Sequence, residues 1–203
     1  GLYPASYDMV IEMDNKLVAW KEKLPSYFSV EDPDLSLDGS HTFLPWHRLY
    51  LHSAFHFARI TLHRPYLLRE SITNRFSLSH EACISSASSD LKIRLQSLNY
   101  GTSENMRWTL GTHNMFNSAF ILGIIAVRRP IAPQTTAILN DLEEYCERLR
   151  KDVWLNEFGL AEVKVVELCI LRTTGLARAT EQPGEQTSMS PPEVLPDFMA
   201  QER

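Results

Sequence analysis

Apolar and polar positions along this chain recur at helical rather than strand period. The longest such stretch runs from about Thr42 or Pro45 to Arg64. Its second half reads Ser53-Ala54-Phe55-His56-Phe57-Ala58-Arg59-Ile60-Thr61-Leu62-His63-Arg64. At about 100° per residue, Phe57 and Ile60 point one way, Ala54 and Ala58 another, and Phe55 and Leu62 a third. A helix without a wide polar face is expected in the middle of a bundle, with Phe57 and Leu62 in its core. The exception is a narrow stripe of His52, His56, Arg59 and His63, within about 60° of arc at the same period. Pro65 is expected to stop this helix, because its ring and missing N–H cannot continue the ladder.

Five further helices follow from the same reading. The first runs from an N-cap at Ser6 to about Lys23, with Met9, Met13, Leu17, Trp20 and Leu24 on one face. A polar connection follows from Pro25 to Ser40, with Asp32-Pro33-Asp34 and Asp38-Gly39-Ser40 as turn signals. After the long helix, Ser79 is read as the cap of a helix with Ile84, Ala87, Leu91, Leu95 and Leu98 on its core face, ended by Asn99-Tyr100-Gly101-Thr102. A fourth helix is predicted over about 108–127, broken by Pro130 and Pro133. The fifth, over 135–152, turns Ile138, Leu142, Tyr145, Leu149 and Val153 inward. The sixth, over 160–177, packs through Val163, Val166, Ile170 and Thr173. No stretch has period 2, so the expected fold is an all-α multi-helix bundle with central buried helices. It would occupy residues 1–179. Residues 180–203, with five Pro or Gly, have the composition of a disordered tail in which 194–199 is a candidate linear motif.

Composition narrows the function classes. With 203 residues and 44% hydrophobic content, the chain can bury one good core. A net charge of −5 and a pI near 5.8 make it a poor match for a phosphate backbone, so no direct nucleic-acid contact is expected. The longest apolar run, 119–127, is less than half of the ~20 residues that cross a bilayer, so no membrane span is expected. Cys83, Cys146 and Cys169 are odd in number, far apart and set in apolar helical patterns, which predicts buried reduced thiols. The start at Gly1 has no signal-peptide layout and reads as a cut inside a longer intracellular protein.

Seven histidines raise the question of metal. His52 and His56 have the i,i+4 spacing of a chelating pair, but His63 lies about three turns from His52, and Ser53 stands where a zinc protease needs Glu. Structural histidines are therefore expected. Phe43-Leu44-Pro45-Trp46-His47-Arg48 resembles the first copper motif of tyrosinases and haemocyanins. However, His41 is too near the Phe, Phe55 occupies the motif's Glu position, and His80 and His113 stand alone where a second motif is needed. A helical copper oxidase stays as an alternative reading. Gly-rich phosphate cradles, nucleophile elbows and Cys/His pairs are absent from the text, so no enzyme, catalytic residue or metal ligand is expected.

Leu51 to His56, followed by Leu62-His63-Arg64-Pro65-Tyr66-Leu67, resembles the hallmark of one family. It is the fungal-specific transcription factor domain, the middle homology region of zinc binuclear cluster regulators. Ser79-His80-Glu81-Ala82-Cys83-Ile84-Ser85-Ser86-Ala87 is similar to that family's serine-rich helix opening, and the helix closing on Leu24-Pro25 to the one that precedes the hallmark. The resemblance spans roughly residues 6–130 and weakens from there to about 177. It implies a nuclear regulatory domain with no cofactor of its own, zinc belonging to a cysteine cluster N-terminal to it. The partners it implies are a small-molecule effector, coregulator proteins or a second copy of the chain. It also marks His52, His56, Arg59, His63, Arg64 and Pro65 as the family motif. These residues are structural or line an effector cavity, with His63 and Arg64 bracing the turn around Pro65. A scaffold or dimerisation module without ligand is the third reading.

Overall fold

The computed structural model describes residues 6–67, 69, 74–97, 112–151 and 157–181. They form six helices and no strand: α1 (Tyr7–Glu22), a 3-10 turn (Ser26–Phe28), α2 (Leu44–Leu67), α3 (Ser77–Ser97), α4 (Thr112–Arg128), α5 (Thr135–Arg150) and α6 (Glu157–Glu181). The architecture is an all-α bundle. Ser6 caps α1, its Oγ accepting from the Met9 N–H, with Asp8 in the first turn opposite the positive end of the dipole. Pro45 sits in the first turn of α2, where its missing N–H removes no ladder bond.

The apolar core lies between α3 and α4. Cys83, Ala87, Leu91 and Leu95 of α3 meet Ala119, Leu122 and Ala126 of α4. Ile138, Leu142 and Tyr145 of α5 and Val163 and Val166 of α6 close the other side. Small residues let α4 and α6 approach closely. A Cβ built on Gly123 lies 2.9 Å from Cys169 Cβ and 3.0 Å from its Sγ. Gly123→Ala is therefore expected to force the two helices apart, losing about 1–3 kcal/mol of packing against a gain in helix propensity of about 1 kcal/mol. Gly175 on α6 has no atom within 4 Å of such a Cβ, so Gly175→Ala gains the propensity alone. Urea denaturation of the two variants should move in opposite directions.

Several expectations are corrected. The long helix, α2, is not buried all round: it is sandwiched between α1 and α3, and a third face stays open. Tyr50, Ala54, Phe57, Thr61 and Arg64 form that exposed stripe, and only Ile60 and Leu67 of α2 join the main core. Phe57 is 37% exposed, whereas Phe55 is 4% exposed and stacked on Trp20, so Phe55 is the buried aromatic. Pro65 does not stop α2, which continues to Leu67. Only two helical residues follow the proline, and burial of Tyr66 against Tyr7 and Phe76 holds that last turn.

The face of α1 is also rotated from the expected one. Met9, Met13 and Trp20 are 49%, 52% and 44% exposed, while Val10 is fully buried. A charge sets this rotation: Asp14 points inward to Arg59, and the apolar residues on its side of the helix follow. Ser79 lies inside α3 rather than capping it. The ends read at Leu98 to Thr102, Trp108 and Val153 lie outside the described residues, as does the tail beyond Glu181. The last helix runs past the boundary expected at residue 179.

Candidate functional site

The stripe on α2 becomes a polar seam along which Arg48, His52, Arg59 and His63 hold neighbours on other parts of the chain. At its N-terminal end Arg48 donates to Asp38 at 2.9 and 3.3 Å and to the Tyr27 carbonyl at 2.9 Å. One turn on, His52 Nε2–H donates to the Phe28 carbonyl at 2.9 Å. These two residues fasten the 25–38 connection to the bundle. Asp38, read as a turn residue, is also an ion-pair partner. Burial holds the His52 ring below its ordinary pKa, against the pull of the Phe28 carbonyl.

Arg59 reaches the other way and grips Asp14 of α1 with two hydrogen bonds, of 2.6 and 2.9 Å. Burial raises the Asp14 pKa, but the bonds and charge of Arg59, helped by His63, outweigh it and hold the carboxyl below its usual value. His63 Nδ1 lies 2.9 Å from Ser79 Oγ, which also meets Tyr7 Oη at 3.0 Å. The other ring nitrogen lies 3.2 Å from Asp14 Oδ1, close enough for electrostatic attraction but without hydrogen-bond alignment. Burial lowers the His63 pKa despite that carboxylate.

Ser79, His63 and Asp14 thus follow the order of a hydrolase relay. Ser79 and His63 are both 0% exposed, and Tyr7 already occupies the serine oxygen, so a substrate carbonyl has no approach to it. What the arrangement does is tie α1, α2 and α3 together at one point. His63 bonds Ser79 of α3 rather than a carbonyl at the end of α2. Arg64 plays no such part: it is exposed on the open face of α2 and makes no hydrogen bond or ion pair among the described residues.

His56 is the exception on the seam. It is 5% exposed, and its Nδ1 is buried without a partner. Burial, reinforced by the neighbouring Lys21, His52, Arg59 and Arg94, pushes its pKa down to about 3, so the ring is neutral at pH 7. Two adjoining cavities meet here, of about 260 and 350 Å³, lying between α1, α2 and α3. Both are lined by Lys21, His56 and Ser89. Of the six motif residues, His52, His56 and Arg59 therefore line the cavities, while His63, Arg64 and Pro65 do not.

A second polar cluster escaped the sequence reading. Asp90 of α3 accepts from Arg94 Nε at 2.9 Å, from Ser118 Oγ of α4 at 2.6 Å and from Ser53 Oγ of α2. Asp90 and Arg94 are each 1% exposed. One carboxylate thereby joins three helices. The signal was present: Asp90 and Arg94 are an i,i+4 pair of opposite charge set among Ala87, Leu91 and Leu95, where a solvated pair would not be.

The three thiols are free, and burial pushes Cys83 and Cys146 up to about 12. His41, exposed beside Ser40, and His47, packed at a tilt against Trp46, belong to the start of α2 and its approach. Among the described residues no three of His, Cys, Asp and Glu are grouped to hold one ion. No described helix is long and apolar enough to cross a membrane. Comparison of the chain with family models, with curated proteins and with solved structures gives no match.

Proposed function

We propose that this chain is the regulatory, middle homology region of a fungal zinc-cluster transcription factor, acting in the nucleus. It governs the output of a DNA-binding module N-terminal to it and an activating segment C-terminal to it, without contacting nucleic acid or catalysing a reaction. The sequence support is the ordered set of motifs: the helix closing on Leu24-Pro25, the hallmark Leu62-His63-Arg64-Pro65-Tyr66-Leu67, and the serine-rich opening from Ser79 to Ala87. The single observation that carries the regulatory part is the pair of adjoining cavities between α1, α2 and α3, both lined by Lys21, His56 and Ser89. Clefts between bundle helices are common ligand sites. A ligand there would touch α1, α2 and α3 at once, so its differential affinity would bias how α1 packs on the rest. That makes a small-molecule effector the favoured partner over a bare scaffold role.

The test places the chain between a heterologous DNA-binding module and an activating segment in a reporter strain. Output should differ from that of a polar linker of the same length, and Arg59→Ala, which releases Asp14 of α1 from α2, should shift it further. Equal output from chain, variant and linker contradicts the reading. A six-cysteine cluster encoded upstream of Gly1 is the expected companion, read directly from the parent coding sequence.

A further inference from the structure

We infer that the open face of α2 is a dimer interface, on which a second copy of this chain lays its own α2 antiparallel. The inference goes beyond the proposed function and does not rest on it. Between Arg48 and Arg64 the only Arg, Lys, Asp or Glu in α2 is Arg59, and it is turned to Asp14. His52, His56 and His63 are buried. The exposed stripe is therefore Tyr50, Ala54, Phe57 and Thr61, uncharged until Arg64. A helix at a protein surface turns its charged face outward, and α2 does the reverse. Trp20 of α1, exposed and stacked on Phe55, carries the apolar surface on to α1, where Met9 and Met13 share its stripe.

Spacing and size point to a second copy as the occupant. His47, Tyr50, Ala54, Phe57, Thr61 and Arg64 follow one another at intervals of 3, 4, 3, 4 and 3 residues, the spacing of a coiled-coil seam. Large and small side chains alternate between Tyr50 and Thr61. A twofold axis midway between Phe55 and His56 sets an antiparallel copy in a register where each large side chain meets a small one. Tyr50 lies against Thr61 of the partner subunit, Phe57 lies against Ala54 of the partner subunit, and symmetry repeats both contacts. Arg64 falls opposite His47 of the partner subunit, so the two arginines are kept apart. A parallel pair in register would instead stack Phe57 on its own copy and bring the two Arg64 side chains together. Self-complementarity of this kind is what an interface around a twofold axis requires.

The area is also sufficient. The 24 residues of α2 extend about 36 Å at about 1.5 Å per residue, and a helix is about 10–12 Å wide. That face and the α1 stripe together offer about 650 Å² per chain, or about 1,300 Å² in the pair, within the roughly 1,200–2,000 Å² of a specific interface.

Sedimentation equilibrium of the intact purified chain tests this, over about 1 to 100 μM, a range that brackets a micromolar complex. The mass should rise with concentration from 23.3 kDa towards twice that value. Ala54→Glu and Thr61→Glu, both at exposed positions, should keep the far-ultraviolet circular dichroism of the parent and weaken association by about tenfold or more, since each buries a charge in the seam. Ala54→Phe overfills its layer and Phe57→Ala empties it, so each alone should also weaken the dimer. The double variant Ala54→Phe/Phe57→Ala exchanges large and small within that same layer and should regain most of the loss. A chain that stays monomeric across the range overturns the inference. A dimer that both glutamate variants leave intact does the same, because it would lie on another face. A double variant that associates no better than either of its single parents contradicts the antiparallel register.

Discussion

Asp90→Ala is expected to be among the most damaging single substitutions in this chain, lowering stability by about 3–5 kcal/mol. The carboxylate is buried, is the acceptor for Arg94, and also takes the Ser53 and Ser118 hydroxyls. Removing it takes the Asp90 carboxylate from a buried guanidinium and strands two hydroxyls at the junction of α2, α3 and α4. Total stability of a domain is about 5–15 kcal/mol, so the loss is a large fraction of it. The exposed pair Lys92–Asp141 gives the contrast: its atoms are 3.6 Å apart and the lysine side chain is 60% exposed. Asp141→Ala should therefore cost about 0–1 kcal/mol. The double variant Asp90→Ala/Arg94→Ala should lose less than the sum of its parts, because the two side chains bond each other and each single change already loses that bond. Urea denaturation followed by circular dichroism measures all four. An Asp90→Ala protein as stable as the Asp141→Ala protein would contradict the described packing.

The second large effect is acid lability beginning at mild pH. His52, His56 and His63 are all held below the ordinary value of 6.5, burial being the leading cause in each. Each ring is harder to protonate in the folded chain than in the unfolded one. Below about pH 6.5 the unfolded state therefore binds more protons, and stability falls as pH falls. Above that value both states carry neutral rings, and the slope vanishes. For His56 the slope persists down to about 3, at about 1.4 kcal/mol per pH unit. Between pH 6.5 and 5 that ring alone should remove about 2 kcal/mol, with His52 and His63 acting in the same direction. Asp14 adds its own loss lower down, as pH falls through 3.8 and on to its depressed folded value. His56→Gln should flatten the dependence by about one proton. A stability that is level from pH 7 to 5 contradicts the burial of these rings.

The helices were legible in the sequence because hydrophobic period and caps act locally. Ser6 capped α1, and Ile138, Leu142, Tyr145 and Leu149 turned inward on α5 as their spacing demanded. The core faces of α3 and α6 also followed from period alone, through Ala87, Leu91, Val163 and Val166. The rotations of α1 and α2 were not legible, because polar partners far apart in sequence decide them. Asp14 and Arg59 are the example: an acidic residue on an amphipathic helix reads as solvent-facing until a guanidinium on another helix is brought opposite it. Phe57 was misplaced for the same reason, since hydrophobicity names candidates for burial and neighbours decide among them. The histidine stripe was visible at its period, but its division among Phe28, Asp14 and Ser79, leaving His56 open, exists only in three dimensions.

His56 is the residue that contributes most to the expected acid lability, and it also lines both cavities between α1, α2 and α3. Its ring titration, followed by nuclear magnetic resonance on uniformly labelled protein with His56→Gln for assignment, reads its state directly. A ring resonance that stays that of neutral imidazole from pH 7 down to the onset of acid unfolding is the predicted result. A ring that titrates near 6.5 in the folded protein would place His56 in solvent and contradict the buried seam.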